Sequence, residues 1–186
     1  MYHMFHFFSK LILLKIFKWK VVGNFPKLPK CIIAVAPHTS NYDFMVGIMI
    51  RSILKEEINY VGKKELFNPL TSWFFVGLGG APLNRKGNQN VVEGIVNIYN
   101  SRETFRLAIA PEGTRKPVKE WKTGFYYIAK GANIPIQLVA FDYSKREIIF
   151  YPLFTPTDDV KQDFIKMKNY FKGVKGKIPE NGIFNL

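Results

Sequence analysis

The stretch 37–43, which reads Pro-His-Thr-Ser-Asn-Tyr-Asp, contains the first residues that could carry out chemistry. It places the imidazole of His38 and the carboxylate of Asp43 five positions apart. An imidazole can take a proton from a hydroxyl group, and a carboxylate beside it can hold the ring and stabilise its charged form. The stretch alone does not decide this, because an acidic residue at position 43 is also typical of a helix start.

The flanking elements predict how these two side chains are positioned. Residues 31–36 form a continuous apolar run, typical of a strand buried on both faces, and residues 44–54 are mostly apolar and predict a helix. Pro37 ends the strand because it has no N–H group for the ladder. Ser40 fits the N-cap, with Asp43 three residues later in the capping-box position. We therefore expect a strand, a sharp turn and a helix.

A second reactive group follows another predicted strand. The run 105–110 ends in 111–115, which reads Pro-Glu-Gly-Thr-Arg. The guanidinium of Arg115 can bind a phosphate through two hydrogen bonds. The carboxylate of Glu112 can accept hydrogen bonds from hydroxyl groups, and Gly113 allows a ligand to approach the backbone closely. The alternative is a surface turn with an incidental ion pair.

Strands alternate with helices along the chain, which predicts an α/β fold in a single domain. We expect a mixed, mostly parallel sheet flanked by helices, with the last two strands paired as a hairpin around residues 144–146. In such sheets, ligands bind beyond the carboxyl ends of the strands. His38, Arg85 and Glu112 each directly follow a predicted strand, so parallel neighbours would place all three on one rim.

Composition limits the class of protein and its partners. The chain has 186 residues, of which 47% are hydrophobic, enough for one domain with a substantial core. Its 27 basic and 14 acidic residues give a net charge of +13, which predicts an anionic partner: nucleic acid, a phospholipid surface or a phosphorylated substrate. The single cysteine, Cys31, excludes an internal disulfide and is expected to be a small buried apolar group.

Residues 1–23 predict a basic, aromatic-rich amphipathic helix, followed by a linker over 24–30 and a domain over 31–186. Lysines interrupt the apolar runs of the first segment, which is too polar for a membrane span and has no signal-peptide cleavage site. Its composition is typical of a helix lying on an anionic membrane, and the alternative is a helix packed on the domain. His3 and His6 have no further ligand nearby, so no metal site is predicted.

Taken together, these blocks resemble the glycerolipid acyltransferases, the family of bacterial 1-acylglycerol-3-phosphate acyltransferases. The His-x-x-x-x-Asp block of the family is matched by His38 and Asp43, and its short segment ending in Arg by 81–85. Its Pro-Glu-Gly-Thr-Arg block is matched in full at 111–115, and its Pro-containing strand by 134–136. Order and spacing agree across four blocks.

The resemblance implies an acyltransferase in which His38 is the general base and Asp43 orients it. The acyl donor would be a thioester of coenzyme A or acyl carrier protein, with no metal or other cofactor. Arg85 and Arg115 would hold an anionic head group, while Glu112 and Gly113 would shape the acceptor site. The resemblance assigns five residues to substrate binding: Arg85, Glu112, Gly113, Thr114 and Arg115.

The acceptor stays open between 1-acylglycerol-3-phosphate, another lysolipid and an acyl-amino-acid lipid. Pro37 and Ala110 depart from the family, which often has Asn and Phe at these places. The expected location is cytoplasmic, peripheral or monotopic on the inner membrane, with an anionic phospholipid surface as partner. A basic nucleic-acid-binding domain is the alternative of a different class. The sequence contains no recognisable nucleic-acid module, so nucleic acid is not an expected partner.

Overall fold

One sheet organises the residues that the structure describes. The structure is a computed structural model, and it describes residues 2–63, 65, 67–83 and 91–182. Its strands in chain order are β1 (Lys20–Val22), β2 (Lys30–Ala36), β3 (Asn59–Lys63), β4 (Gly80–Leu83), β5 (Phe105–Ile109), β6 (Ile136–Asp142) and β7 (Glu147–Phe150). Its helices are α1 (Tyr2–Ser9), a π-helical segment (Lys10–Ile16), α2 (Tyr42–Leu54), α3 (Ser72–Gly77), α4 (Val91–Ser101), α5 (Gly124–Gly131), α6 (Val160–Asn169) and a 3₁₀ turn (Pro179–Asn181).

The strands lie in the order β1-β7-β6-β2-β5-β3-β4. Neighbouring strands are parallel except for β6 and β7, which form the antiparallel hairpin expected from the sequence. The α/β fold with a mixed, mostly parallel sheet is therefore confirmed. Since β2 pairs in parallel with β5 on one side and β6 on the other, the carboxyl ends of these three strands meet at one rim.

The central strand β2 is buried on both faces, as its apolar run predicts. Ile32 and Ala34 belong to the core that α4, α5 and α6 cover. Cys31 and Ile33 belong to the core on the opposite face, under the π-helical segment and α2. Burial raises the pKa of the Cys31 thiol to about 11, so the thiol is neutral at physiological pH. Cys31 is thus the buried apolar group expected from the sequence.

The N-terminal helix is shorter than the predicted 1–23. Helical backbone ends at Ile16, and Lys18 then adopts a left-handed conformation with φ of 56°, which turns the chain. Lys20–Val22 forms the edge strand β1, which pairs in parallel with β7. The first segment is therefore joined to the sheet instead of standing apart from it.

The N-terminal segment packs on α2. Nδ1 of His6 donates a hydrogen bond of 2.7 Å to the carbonyl of Ser52, and the side chain of Leu13 is fully buried. None of the helices in the described part of the chain is long and apolar enough to cross a bilayer.

Candidate active site

The turn between β2 and α2 holds Asp43 through backbone N–H groups. Oδ2 of Asp43 accepts hydrogen bonds from the N–H groups of Thr39 at 2.8 Å and Ser40 at 2.9 Å. Oγ of Ser40 in turn accepts a hydrogen bond of 3.2 Å from the N–H of Tyr42, where α2 begins. The bond from the Ser40 N–H to Asp43 is the half of the capping box that the sequence predicts. The N-cap, however, is Asn41, one residue after the predicted Ser40, and Oγ of Ser40 binds the N–H of Tyr42 instead of that of Asp43. The bonds to Oδ2 fix the carboxylate at the start of the helix.

His38 and Asp43 form a hydrogen-bonded pair on this turn. Nδ1 of His38 lies 3.1 Å from Oδ2 of Asp43, and the His38 side chain is 27% exposed while that of Asp43 is 2% exposed. An ionised carboxylate only accepts hydrogen bonds, so it keeps the proton of a neutral imidazole on Nδ1. The lone pair then lies on Nε2, the ring nitrogen that can take a proton from a substrate.

The environment of Asp43 favours its ionised form. Burial on its own would raise the pKa of this carboxyl group. Hydrogen bonds from His38, from the backbone of Ser40 and from the hydroxyl of Tyr143 outweigh that effect and lower the pKa below its ordinary value. Asp43 is therefore a negatively charged partner for the imidazole at neutral pH.

Glu112 lies beneath His38, on the rim that the sequence predicts for both. Its side chain is buried, and Oε1 accepts a hydrogen bond of 3.0 Å from the backbone N–H of His38. No side chain or backbone group within the described ranges hydrogen-bonds its other oxygen, Oε2. Burial raises the pKa of Glu112, and the hydrogen bonds from its own backbone and that of His38 offset only part of this rise. Glu112 thus supports the turn that carries the imidazole.

The remainder of the 111–115 block reaches across to the start of α2. Nη1 of Arg115 donates a hydrogen bond to Oδ1 of Asn41, and Arg115 is exposed. Gly113 has φ of +65°, a left-handed conformation that favours glycine. Thr114 is partly buried, and its hydroxyl accepts a hydrogen bond of 3.2 Å from the N–H of Lys116. The block therefore brings a guanidinium to the edge of the His38 turn.

Arg85, the remaining residue that the sequence assigns to substrate binding, lies outside the described residues. Strand β4, which precedes it, is at the sheet edge and pairs in parallel with β3. Among the described residues, no group of three His, Cys, Asp or Glu side chains is arranged to hold a metal ion.

The sequence of residues 19–142 matches the family model of the acyltransferases, which spans both the His38 turn and the 111–115 block. The chain belongs to the acyltransferase family. The expectation of an acyltransferase enzyme is thereby confirmed. No curated protein sequence matches this acyltransferase at a significant level.

A solved structure shares the fold of this acyltransferase. It is the 1-acyl-sn-glycerophosphate (LPA) acyltransferase PlsC from Thermotoga maritima, with a TM-score of 0.59 and 18% sequence identity. The alignment covers 93% of this chain and 76% of the PlsC chain. At this identity the likeness establishes a common fold.

Tyr143 contacts the candidate active site of the acyltransferase, and the sequence did not predict this contact. It directly follows β6, and its hydroxyl donates a hydrogen bond of 2.8 Å to Oδ1 of Asp43. The rule that places His38 and Glu112 on the rim applies equally to Tyr143, because each follows a buried strand. That signal was available in the sequence, but the hairpin predicted around residues 144–146 counts Tyr143 as the last residue of a strand and so concealed it.

The C-terminal segment, residues 173–182, also packs against the His38 turn. The N–H of Ile178 donates a hydrogen bond of 3.2 Å to Oγ1 of Thr39, and Nδ2 of Asn181 lies 3.4 Å from the Thr39 carbonyl. Gly176 packs against the Thr39 side chain, where an added Cβ would lie 2.6 Å from Cγ2 and Oγ1. Thr39 is 2% exposed. These contacts link the last part of the described chain to the turn that holds Asp43.

Two further lysines bring positive charge to the rim. The side chain of Lys122 lies over Gly113, where an added Cβ would be 2.9 Å from its Nζ. Nζ of Lys177 lies over the rings of Tyr42 and Tyr143, 5.4 Å and 5.8 Å from their centres. Together with Arg115, these groups place three cations beside the His38 turn and the 111–115 block.

Proposed function

We propose that this acyltransferase transfers a fatty acyl group from a thioester to the hydroxyl group of a lysophospholipid such as 1-acylglycerol-3-phosphate. The observation that carries the proposal is the 3.1 Å contact between Nδ1 of His38 and Oδ2 of Asp43. It leaves Nε2 as a base on a partly exposed ring, which is what O-acylation of an alcohol requires. The family and the basic rim support the same reaction.

The proposed reaction has a single acyl-transfer step at His38. The acceptor hydroxyl oxygen attacks the thioester carbonyl carbon while its proton passes to Nε2. The carbon–sulfur bond then breaks, and the leaving thiolate receives the proton from the imidazolium, giving an ester and a free thiol. The charge of Asp43 stabilises the imidazolium between these two events. General-base assistance of this kind contributes typically ~10²–10⁴-fold to a rate.

The phosphate of the acceptor is proposed to bind to the cations of the rim. Arg115 presents an exposed guanidinium beside the start of α2, and the side chain of Lys122 lies over Gly113 in the same block. Guanidinium groups bind phosphate oxygens in pairs. Arg85 belongs to the same proposal because of its place in the second sequence block. The buried position of Glu112 favours a supporting role over direct contact with the acceptor.

The test is an acyl-transfer assay with the purified full chain. Palmitoyl-CoA and palmitoyl-acyl carrier protein are each supplied with 1-acylglycerol-3-phosphate, three neutral or zwitterionic lysolipids and an acyl-amino-acid lipid. We expect the phosphate acceptor to be used best and His38→Ala to remove transfer while the circular dichroism spectrum stays unchanged. An active His38→Ala enzyme would overturn the mechanism, and preference for another acceptor would overturn the substrate assignment. Because a thioester acylates without a metal, EDTA should leave the rate unchanged.

The N-terminal segment is proposed to place the enzyme on the cytoplasmic face of the inner membrane as a peripheral or monotopic protein. Large apolar side chains of this segment are at least 38% exposed: Met4, Phe5, Phe7, Phe8, Leu11, Ile16 and Phe17. Exposed lysines at positions 10, 15 and 18 lie among them. Apolar side chains with neighbouring lysines favour binding to an anionic lipid surface.

Flotation with vesicles of phosphatidylglycerol and phosphatidylcholine tests this placement. Phe7→Glu should reduce the bound fraction, since Phe7 is 62% exposed on α1. Tyr127→Glu is the matched control, because Tyr127 is an exposed aromatic residue on α5, which covers the other face of the sheet. Equal losses in both variants, or no loss in Phe7→Glu, would contradict membrane binding through α1.

A further inference from the structure

We propose that Tyr143 is a positioning residue of the acyl-transfer site, which holds the Asp43 carboxylate so that its Oδ2 stays directed at Nδ1 of His38. This inference rests on the proposed role of His38 as the base. It concerns a residue outside the two sequence blocks that carry His38 and Glu112. The positioning role of Tyr143 is inferred from the arrangement of hydrogen bonds around Asp43.

The two oxygens of Asp43 have different partners. Oδ2 receives three donors: the N–H groups of Thr39 and Ser40 and Nδ1 of His38. Oδ1 accepts a hydrogen bond of 2.8 Å from the hydroxyl of Tyr143. A carboxylate held through one oxygen can still rotate about its Cβ–Cγ bond, and the Tyr143 hydroxyl opposes this rotation at the second oxygen. Tyr143 therefore fixes the plane of the carboxylate against which the imidazole is aligned.

Tyr143 is itself held in place from two directions. Its ring packs edge-on against Trp19, with ring centres 4.9 Å apart and planes at 86°. Its N–H donates a hydrogen bond of 2.9 Å to the carbonyl of Lys175 in the C-terminal segment. A phenol with these supports has little freedom to leave Asp43.

The phenol also remains a donor under assay conditions. Burial and the negative charge of Asp43 raise the pKa of Tyr143 well above its ordinary value. The groups that face Asp43 are His38, Tyr143 and, beneath the turn, Glu112. Nζ of Lys177 lies 5.8 Å from the centre of the Tyr143 ring. The proton of the phenol is therefore directed to Asp43 across the neutral range.

The variant Tyr143→Phe removes the hydroxyl and keeps the ring against Trp19. We expect kcat to fall about tenfold, the usual size of a lost hydrogen bond to a charged group, with both KM values unchanged. Tyr126→Phe is the matched control, since the hydroxyl of Tyr126 lies 2.8 Å from Oδ2 of Asp163 in the core between α5 and α6. It removes the same kind of bond away from His38 and should leave kcat unchanged.

The tautomer of His38 gives a second readout that needs no activity. In ¹⁵N-histidine-labelled protein, the neutral imidazole of His38 should carry its proton on Nδ1 in the wild type and in Tyr126→Phe. Tyr143→Phe should shift the Nδ1 resonance towards a mixture of tautomers, and the spectrum of His38→Gln identifies the signal. An unchanged tautomer, an unchanged kcat or an equal loss of kcat in Tyr126→Phe would each overturn the proposal. A wild-type protein inactive with every acceptor would overturn the proposed function, while the tautomer comparison would still decide the role of Tyr143.

Discussion

Oε1 of Glu112 accepts a hydrogen bond of 3.0 Å from the backbone N–H of His38. Glu112 follows β5 and His38 follows β2, so this bond ties together the ends of two neighbouring strands. The buried carboxyl group has a raised pKa, whereas in the unfolded chain it ionises near the ordinary value of 4.5. Glu112 therefore favours folding below pH 4.5, and this contribution is lost as the pH rises through the raised pKa.

The first prediction follows from this pH dependence of the contribution of Glu112 to stability. Glu112→Gln keeps an oxygen for the His38 N–H and carries no charge, so it should raise the melting temperature at pH 7.5. We expect about 2–4 °C, which corresponds to about 1 kcal/mol in a chain of this length, and no change at pH 4. Glu120→Gln, at an exposed position, should change neither value. A large rise in the acceptor KM of Glu112→Gln would instead show that Glu112 contacts the substrate.

The second prediction concerns the charge of Asp43. Asp43→Asn keeps the size of the side chain but removes the charge that stabilises the imidazolium, so kcat should fall by roughly 10²–10⁴-fold. Because the pKa of Asp43 is lowered, its ionised form stabilises the fold above the ordinary value of 3.8, and this stability is lost as the pH falls through the lower folded pKa. The difference in melting temperature between wild type and variant should thus be present at pH 7 and shrink below pH 3.8. Asp158→Asn, at an exposed ion pair with Lys130, should retain full activity.

The third prediction separates acceptor binding from donor binding. Arg115→Ala should raise the KM for 1-acylglycerol-3-phosphate about tenfold, since a charge-assisted hydrogen bond to phosphate is lost, and should change the thioester KM little. Arg102→Ala is the matched control, because Arg102 lies at the opposite end of β5 and stacks on Phe105. Equal increases in both KM values for Arg115→Ala would argue against a head-group role.

The fourth prediction tests the contact between the C-terminal segment and the His38 turn. Gly176→Ala would bring a methyl group within 2.6 Å of the buried Thr39 side chain, so the segment or the turn must move. We expect a loss of about 1–3 kcal/mol in the free energy of unfolding and a fall in kcat. Gly94→Ala, in α4, has no atom within 4 Å of the added methyl group and should be neutral or slightly stabilising. Full activity in a Gly176→Ala protein would show that this contact does not position Asp43.

Much of the rim can be predicted from the sequence because the relevant residues follow buried strands directly. The apolar run of β2 and the residues after it place His38, and the same reasoning places Glu112. That reasoning requires only that the strands be parallel neighbours, which β2 and β5 are. The capping position of Asp43 is equally local, since it depends on a spacing of three residues from Ser40.

Other parts of the site depend on contacts that no local sequence pattern predicts. Lys18 turns the chain in a left-handed conformation usually adopted by glycine or asparagine, so nothing in the sequence separates the N-terminal helix from β1. β1 is three residues long, exposed and at the sheet edge, and gives no strand pattern. The packing of residues 173–182 on Thr39 joins positions far apart in a basic, glycine-containing tail. Only the folded chain shows that this tail reaches the turn.

The supports of the His38 turn come from near both ends of the described chain, through Trp19 at one end and Ile178 at the other. This arrangement sets an order of events during synthesis. The ribosome releases His38 and Asp43 long before residues 173–182, so a partly made chain contains this pair without the contacts that hold it in the folded protein. We therefore expect nascent chains to be inactive and to leave thioester donors unused until the last strand and the tail have emerged. For the same reason we expect a cut within residues 173–182 to inactivate the enzyme while its sheet stays folded.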